Sequence, residues 1–100
     1  MQKYILGGGD GRQPVPASLM EWAEWFERSE RHVAKTQIGE ATVSTVFLGI
    51  DHGFGGEPLL FETMIFGGKF DGYQERSATW AKAEEQHHAA CAMARGKMDA

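Results

Sequence analysis

Val43–Gly68 reads VSTVFLGIDHGFGGEPLLFETMIFGG. Two runs rich in β-branched and aromatic residues, Val43–Ile50 and Leu59–Phe66, flank a glycine-rich segment, Asp51–Pro58. β-Branched and aromatic side chains favour strands, and glycine with aspartate and proline favours turns. The stretch therefore predicts the central β-hairpin of a small domain, with the densest polar group of the chain at its tip. Both runs are nearly continuous in apolar residues, whereas a strand open to water on one face alternates more cleanly. That pattern predicts cover on both faces, helices on one and a second subunit on the other, so a homodimer is expected.

Upstream, Lys3–Leu6 is a short apolar run that stops at Gly7-Gly8-Gly9-Asp10-Gly11. Gln13–Ala17 carries Pro14 and Pro16 and reads as an edge strand returning beside the first, where a missing N–H matters least. The glycine run lacks the Lys-Ser/Thr of a phosphate loop and lies too far from the next helix, so it reads as a turn. Ser18-Leu19-Met20-Glu21 is a capping box that opens a helix. Leu19, Trp22, Ala23 and Phe26 form its apolar stripe, and Glu24–Arg28 and Glu27–Arg31 are pairs four residues apart. Trp25 falls on the flank of the stripe, either completing the core or standing out as an aromatic anchor for a partner.

After the helix, His32–Ile38 partly alternates and turns at Gly39-Glu40 into the central strands. A loop at Gly67–Gly72 leads to a short strand over Tyr73–Arg76. Thr79 or Ser77 caps a second helix that ends at Gly96, with Trp80, Ala83, His87, Ala90, Cys91 and Ala94 on one face. The expected fold is α+β: an antiparallel β-sheet of about four to five strands with two helices packed on one face, in a single domain.

One hundred residues with a net charge of −4 show no basic footprint, so direct nucleic-acid binding is not expected. A single cysteine, Cys91, forms no internal disulfide and suits a reducing cytosol. No run approaches the roughly 20 apolar residues of a membrane span, and the apolar core of the N-terminus is short for a signal peptide.

Chemistry concentrates at three places. Asp51 could orient His52 as a base or ligand, in a loop whose glycines, with Phe54 and Glu57, leave the backbone open to a partner. Glu62 interrupts an apolar run, a costly position that calls for a basic partner such as Arg76 or Lys35. His87 lies on an apolar helical face, as a satisfied core residue or as a group meeting Glu62 beneath the sheet. Cys91 follows His87 by four residues, so a Cys–His pair is also geometrically open. There is no His-x3-His or Cys-x2-Cys pair, so neither metal nor cofactor is expected.

VSTVFLGIDH and LLFETMIFGG, with SLMEWAEWFE before them and ERSATWAKAEEQH after, resemble a family of short uncharacterised proteins of phage and prophage genomes. The similarity runs from Pro14 to about Ala94, and the GGGDG segment departs from it. The resemblance implies a setting, the host cytoplasm during infection, in which small phage proteins often bind and redirect host factors, CRISPR effectors and other defence components among them. The leading expectation is therefore a non-catalytic protein that binds a host protein and inhibits or redirects it. Its expected contacts are Trp25, Asp51, His52, Phe54, Glu57 and Glu62. The alternatives are a protein that sequesters a small molecule, a small enzyme using His52 with Asp51 or Glu62, and a minor component of the virion.

Overall fold

The computed structural model describes residues 1–51 and 55–96. Strands β1 (Lys3–Gly7) and β2 (Gln13–Ala17) precede helix α1 (Leu19–Arg28). Strands β3 (His32–Ile38), β4 (Ala41–Phe47), β5 (Phe61–Phe66) and β6 (Gln74–Ser77) follow, and helix α2 (Trp80–Ala94) ends the fold. Among the described residues the chain is thus α+β, with two helices and six strands in two antiparallel sheets. The four-stranded sheet runs β3-β4-β5-β6 in chain order, antiparallel at every pairing. β1 and β2 form a ladder of their own, with Lys3 opposite Ala17 and Gly7 opposite Gln13.

The central hairpin forms with Phe47 opposite Phe61 and Thr42 opposite Phe66. It is shorter than the apolar runs suggest, because β4 stops at Phe47 rather than Ile50. Gly49, at φ +75°, turns the chain away there. Its carbonyl then accepts the Tyr4 N–H at 2.8 Å, and Ile50 bridges Lys3. The small sheet is docked onto the large one through this contact.

Alternation settles what faces the core. Ala41, Val43, Thr45 and Phe47 of β4 and Phe61, Thr63 and Ile65 of β5 are buried beneath α2. Glu62, Met64 and Phe66 take the opposite face, with Thr42, Ser44 and Val46 beside them. Among the described residues neither helix packs on that outer face, and Phe66 is 49 % exposed. The apolar runs look continuous because outward positions also hold Val46, Met64 and Phe66, so cover on both faces is not a property of the single chain. The buried side of α2 is Ala83, His87, Ala90 and Cys91, small enough at three of four positions to bring the helix close to the strands.

Both caps form as read. Ser18 Oγ accepts the Glu21 N–H while Glu21 Oε1 accepts the Ser18 N–H, and Thr79 Oγ1 accepts the Lys82 N–H. The buried side of α1 differs from the expected stripe. Trp22, Trp25 and Phe26 turn inward, whereas Leu19 is 64 % exposed and Ala23 faces water. The reason is that α1 lies against β1 and β2 and meets the large sheet through aromatic contacts with Phe47. The Glu24–Arg28 pair forms at 3.6 Å between exposed side chains and contributes at most a few tenths of a kcal/mol, ~0.3–0.5. Among the described residues no Glu27–Arg31 pair forms, since the helix ends at Arg28 and Arg31 instead lies 4.6 Å from the centre of the Phe26 ring.

Candidate functional site

The hairpin tip closes at its neck. Asp51 is half-buried, and its Oδ1 accepts the Leu59 N–H at 3.1 Å, which holds the two ends of the tip together. His52 and Phe54 lie outside the described residues. Glu57 leaves the tip and borders a groove of about 500 Å³. Three distant pieces of chain build this groove.

The first is the β1–β2 turn. Gly8 and Gly11 hold positive φ, at 77° and 70°, and Asp10 Oδ1 accepts the Arg12 N–H at 3.0 Å. This local bond fixes the turn so that Arg12 reaches back, with its guanidinium carbon 5.0 Å from the centre of the Trp80 ring. The second is the opening of α2, where the Thr79 cap sets Trp80 at the first helical position and Glu84 one turn on. The third is Glu57 with Pro58, over a floor to which Tyr4 and Leu60 contribute.

Three carboxylates (Asp10, Glu57 and Glu84) and one guanidinium (Arg12) thus border one groove with an aromatic wall. Among the described residues none of the four forms an ion pair. Trp80 Nε1 is buried with no hydrogen-bond partner among the described residues. The balance of charge favours a cationic occupant, and an aromatic face attracts one further by its quadrupole.

Glu62 is not beneath the sheet. It lies on the outer face, where Oε2 accepts from Arg76 Nε at 3.0 Å and from Gln74 Nε2. Strand alternation rules out the alternative in which Glu62 meets His87, and of the two candidate partners, Arg76 and Lys35, Arg76 is the one found. Trp25 is half-buried, edge-on to Phe47 at 5.7 Å between ring centres.

His87 is 3 % exposed. Its Nε2 meets Thr36 Oγ1 at 2.9 Å and its Nδ1 meets Thr45 Oγ1 at 2.8 Å, and Thr45 in turn meets Thr63 Oγ1 at 2.7 Å. This polar band divides the core into one cluster around Val43, Ile65 and Cys91 and another around Phe47 and Phe61. Both ring nitrogens are taken by threonine hydroxyls, so Cys91 gains no base from His87 and packs as a small apolar side chain. Among the described residues no group of three histidines, cysteines or carboxylates is placed to hold a metal.

Burial, reinforced by nearby His88, holds the His87 pKa below its ordinary 6.5. A hydroxyl rotor can accept from a protonated ring nitrogen or donate to a bare one, so desolvation rather than the hydrogen bonds keeps the ring neutral. A histidine with a depressed folded pKa binds its proton more readily in the unfolded chain. Stability contributed by neutral His87 is therefore full above pH 6.5 and is lost as pH falls below it towards the folded pKa. Urea unfolding is expected to show this decline in the wild type. In His87→Leu the decline is expected to flatten, with a loss of about 1–3 kcal/mol at neutral pH from the two hydrogen bonds to Thr36 and Thr45. An unchanged pH slope in the variant would assign the decline to other groups.

The threonines and the groove's Arg12, Trp80 and Glu84 were not among the expected site residues. Thr45 and Thr63 leave a trace in the sequence, as polar residues at inward positions of two buried strands facing a helix with one histidine. The groove leaves none, because its parts are far apart along the chain. Comparison of the chain with known protein families, with curated proteins and with solved structures finds no match.

Proposed function

We propose that the chain is a small accessory protein of the phage type. In this reading it acts in the host cytoplasm, where it binds a host protein, a defence component being the leading class, and inhibits or redirects it without catalysis. The setting rests on the resemblance of the central strands. The observation that supports binding is the groove beside the hairpin tip. It is aromatic on one wall, bordered by three carboxylates without ion pairs among the described residues, and open enough, at about 500 Å³, for a side chain and its flanking backbone. A homodimer through the outer sheet face belongs to the same proposal, supported by the half-exposed Phe66.

The test is affinity capture of the tagged full chain from infected bacterial host cells, in parallel with a Glu57→Lys/Glu84→Lys variant. A stoichiometric host protein retained by the wild type and lost by the variant is the expected result. Equal recovery with both chains, or no host protein with either, would overturn the reading. Both substituted positions are exposed, so the variant is expected to keep its unfolding midpoint.

A further inference from the structure

We infer that the groove accepts an arginine side chain on an extended segment of the partner, and that Arg12 of this chain occupies the aromatic wall until that side chain displaces it. The inference rests on the binding function proposed above and names the chemistry of the occupant.

Two observations carry it. The first is the charge around the groove. Asp10, Glu57 and Glu84 come from three separate segments and border one space, and among the described residues Arg12 is the cation facing them. Carboxylates from three segments bordering one groove, with only Asp10 engaged by the Arg12 N–H, favour an occupant of opposite sign. An acidic or phosphorylated ligand would meet three carboxylates and is disfavoured by the same arithmetic.

The second is what Arg12 does. It forms no ion pair with the nearby carboxylates among the described residues, and lies instead over the Trp80 ring at 5.0 Å. The ring face is therefore already a guanidinium site, filled by an exposed side chain on a glycine-rich turn. A planar guanidinium stacks on an aromatic face and bonds carboxylates through a fork of donors, which a compact ammonium does neither of as well. An incoming arginine can take the ring face and reach Glu57 or Glu84, with neither of which Arg12 forms an ion pair among the described residues.

The experiment uses the purified full chain and two uncharged-flank peptides, acetyl-Gly-Gly-Arg-Gly-Gly-amide and its glutamate counterpart. Binding is followed in nuclear magnetic resonance spectra through the Trp80 indole N–H and the amides of the β1–β2 turn. The arginine peptide is expected to shift these signals saturably, and the glutamate peptide is expected to leave them in place. Removing the resident side chain in Arg12→Ala is expected to tighten arginine-peptide binding about tenfold. The double variant Glu57→Gln/Glu84→Gln is expected to weaken it about fivefold or more.

Absence of Trp80 shifts with the arginine peptide at about 10 mM would overturn the inference. So would equal binding of the glutamate peptide, or binding by Arg12→Ala no tighter than by the wild type. The two proposals fail separately. Groove-dependent capture of a host protein without arginine-peptide binding leaves the function and removes this occupant. Peptide binding without any captured protein does the reverse.

Discussion

Replacing Phe47 with alanine is expected to lower the free energy of unfolding by about 3–5 kcal/mol, the range for emptying a well-packed aromatic site. Phe47 is fully buried and closes β4 where three parts of the molecule meet. Its ring centre lies 5.3 Å from that of Phe61 on the neighbouring strand, 5.7 Å from Trp25 and 6.4 Å from Phe26 on α1. The cavity opens between the large sheet and the first helix, so the loss combines apolar transfer with lost aromatic contacts. Chemical denaturation at neutral pH measures it, and near-ultraviolet circular dichroism reports the freed Trp25. A loss below about 1.5 kcal/mol would mean that α1 collapses into the space and that the joint between the sheets is softer than the contacts imply.

The second large effect is expected at Gly49. Alanine there is expected to cost about 2–4 kcal/mol, from a left-handed backbone that a side chain resists together with overpacking. The backbone has φ +75°, and an added Cβ would stand 2.3 Å from Phe26 Cζ and 2.8 Å from Trp22 Nε1. Neither ring can simply step aside. Phe26 is held among Trp22, Trp25 and Phe47, and Arg31 lies over it. Gly39→Ala supplies the control, because Gly39 also has positive φ, at 58°, but no atom lies within 4 Å of its added Cβ. That variant is expected to lose only the conformational part, about 1 kcal/mol. Equal losses at the two positions would show that α1 shifts freely away from Gly49. Phe47→Ala and Gly49→Ala share Phe26, so the double variant is expected to lose less than the sum of the single losses.

Much of the local structure was legible in the residues. Ser18 and Glu21 announce the start of α1, Thr79 the start of α2, and Gly96 its end, because a cap is an interaction between residues a few positions apart. The pairing of Lys3–Leu6 with Gln13–Ala17 followed from a glycine turn between two extended runs. The faces were harder. Val46, Met64 and Phe66 blur the alternation of β4 and β5, and nothing local says that Phe61, Thr63 and Ile65 point at α2 while Glu62 does not. On α1 the apolar residues spread over more than one face, so inward Trp25 and outward Leu19 were decided by what the helix packed against.

The α+β class, the element order, the caps and the turns can be read along the chain, since these depend on propensities and on contacts within a few residues. The division into two sheets, the threonine–histidine band in the core and the groove arise from packing in three dimensions. Each of these joins side chains separated by long stretches of chain, as Thr45 is from His87, or Arg12 from Glu57 and Trp80. Such neighbours are selected by how whole layers pack, a property that no short window of residues carries.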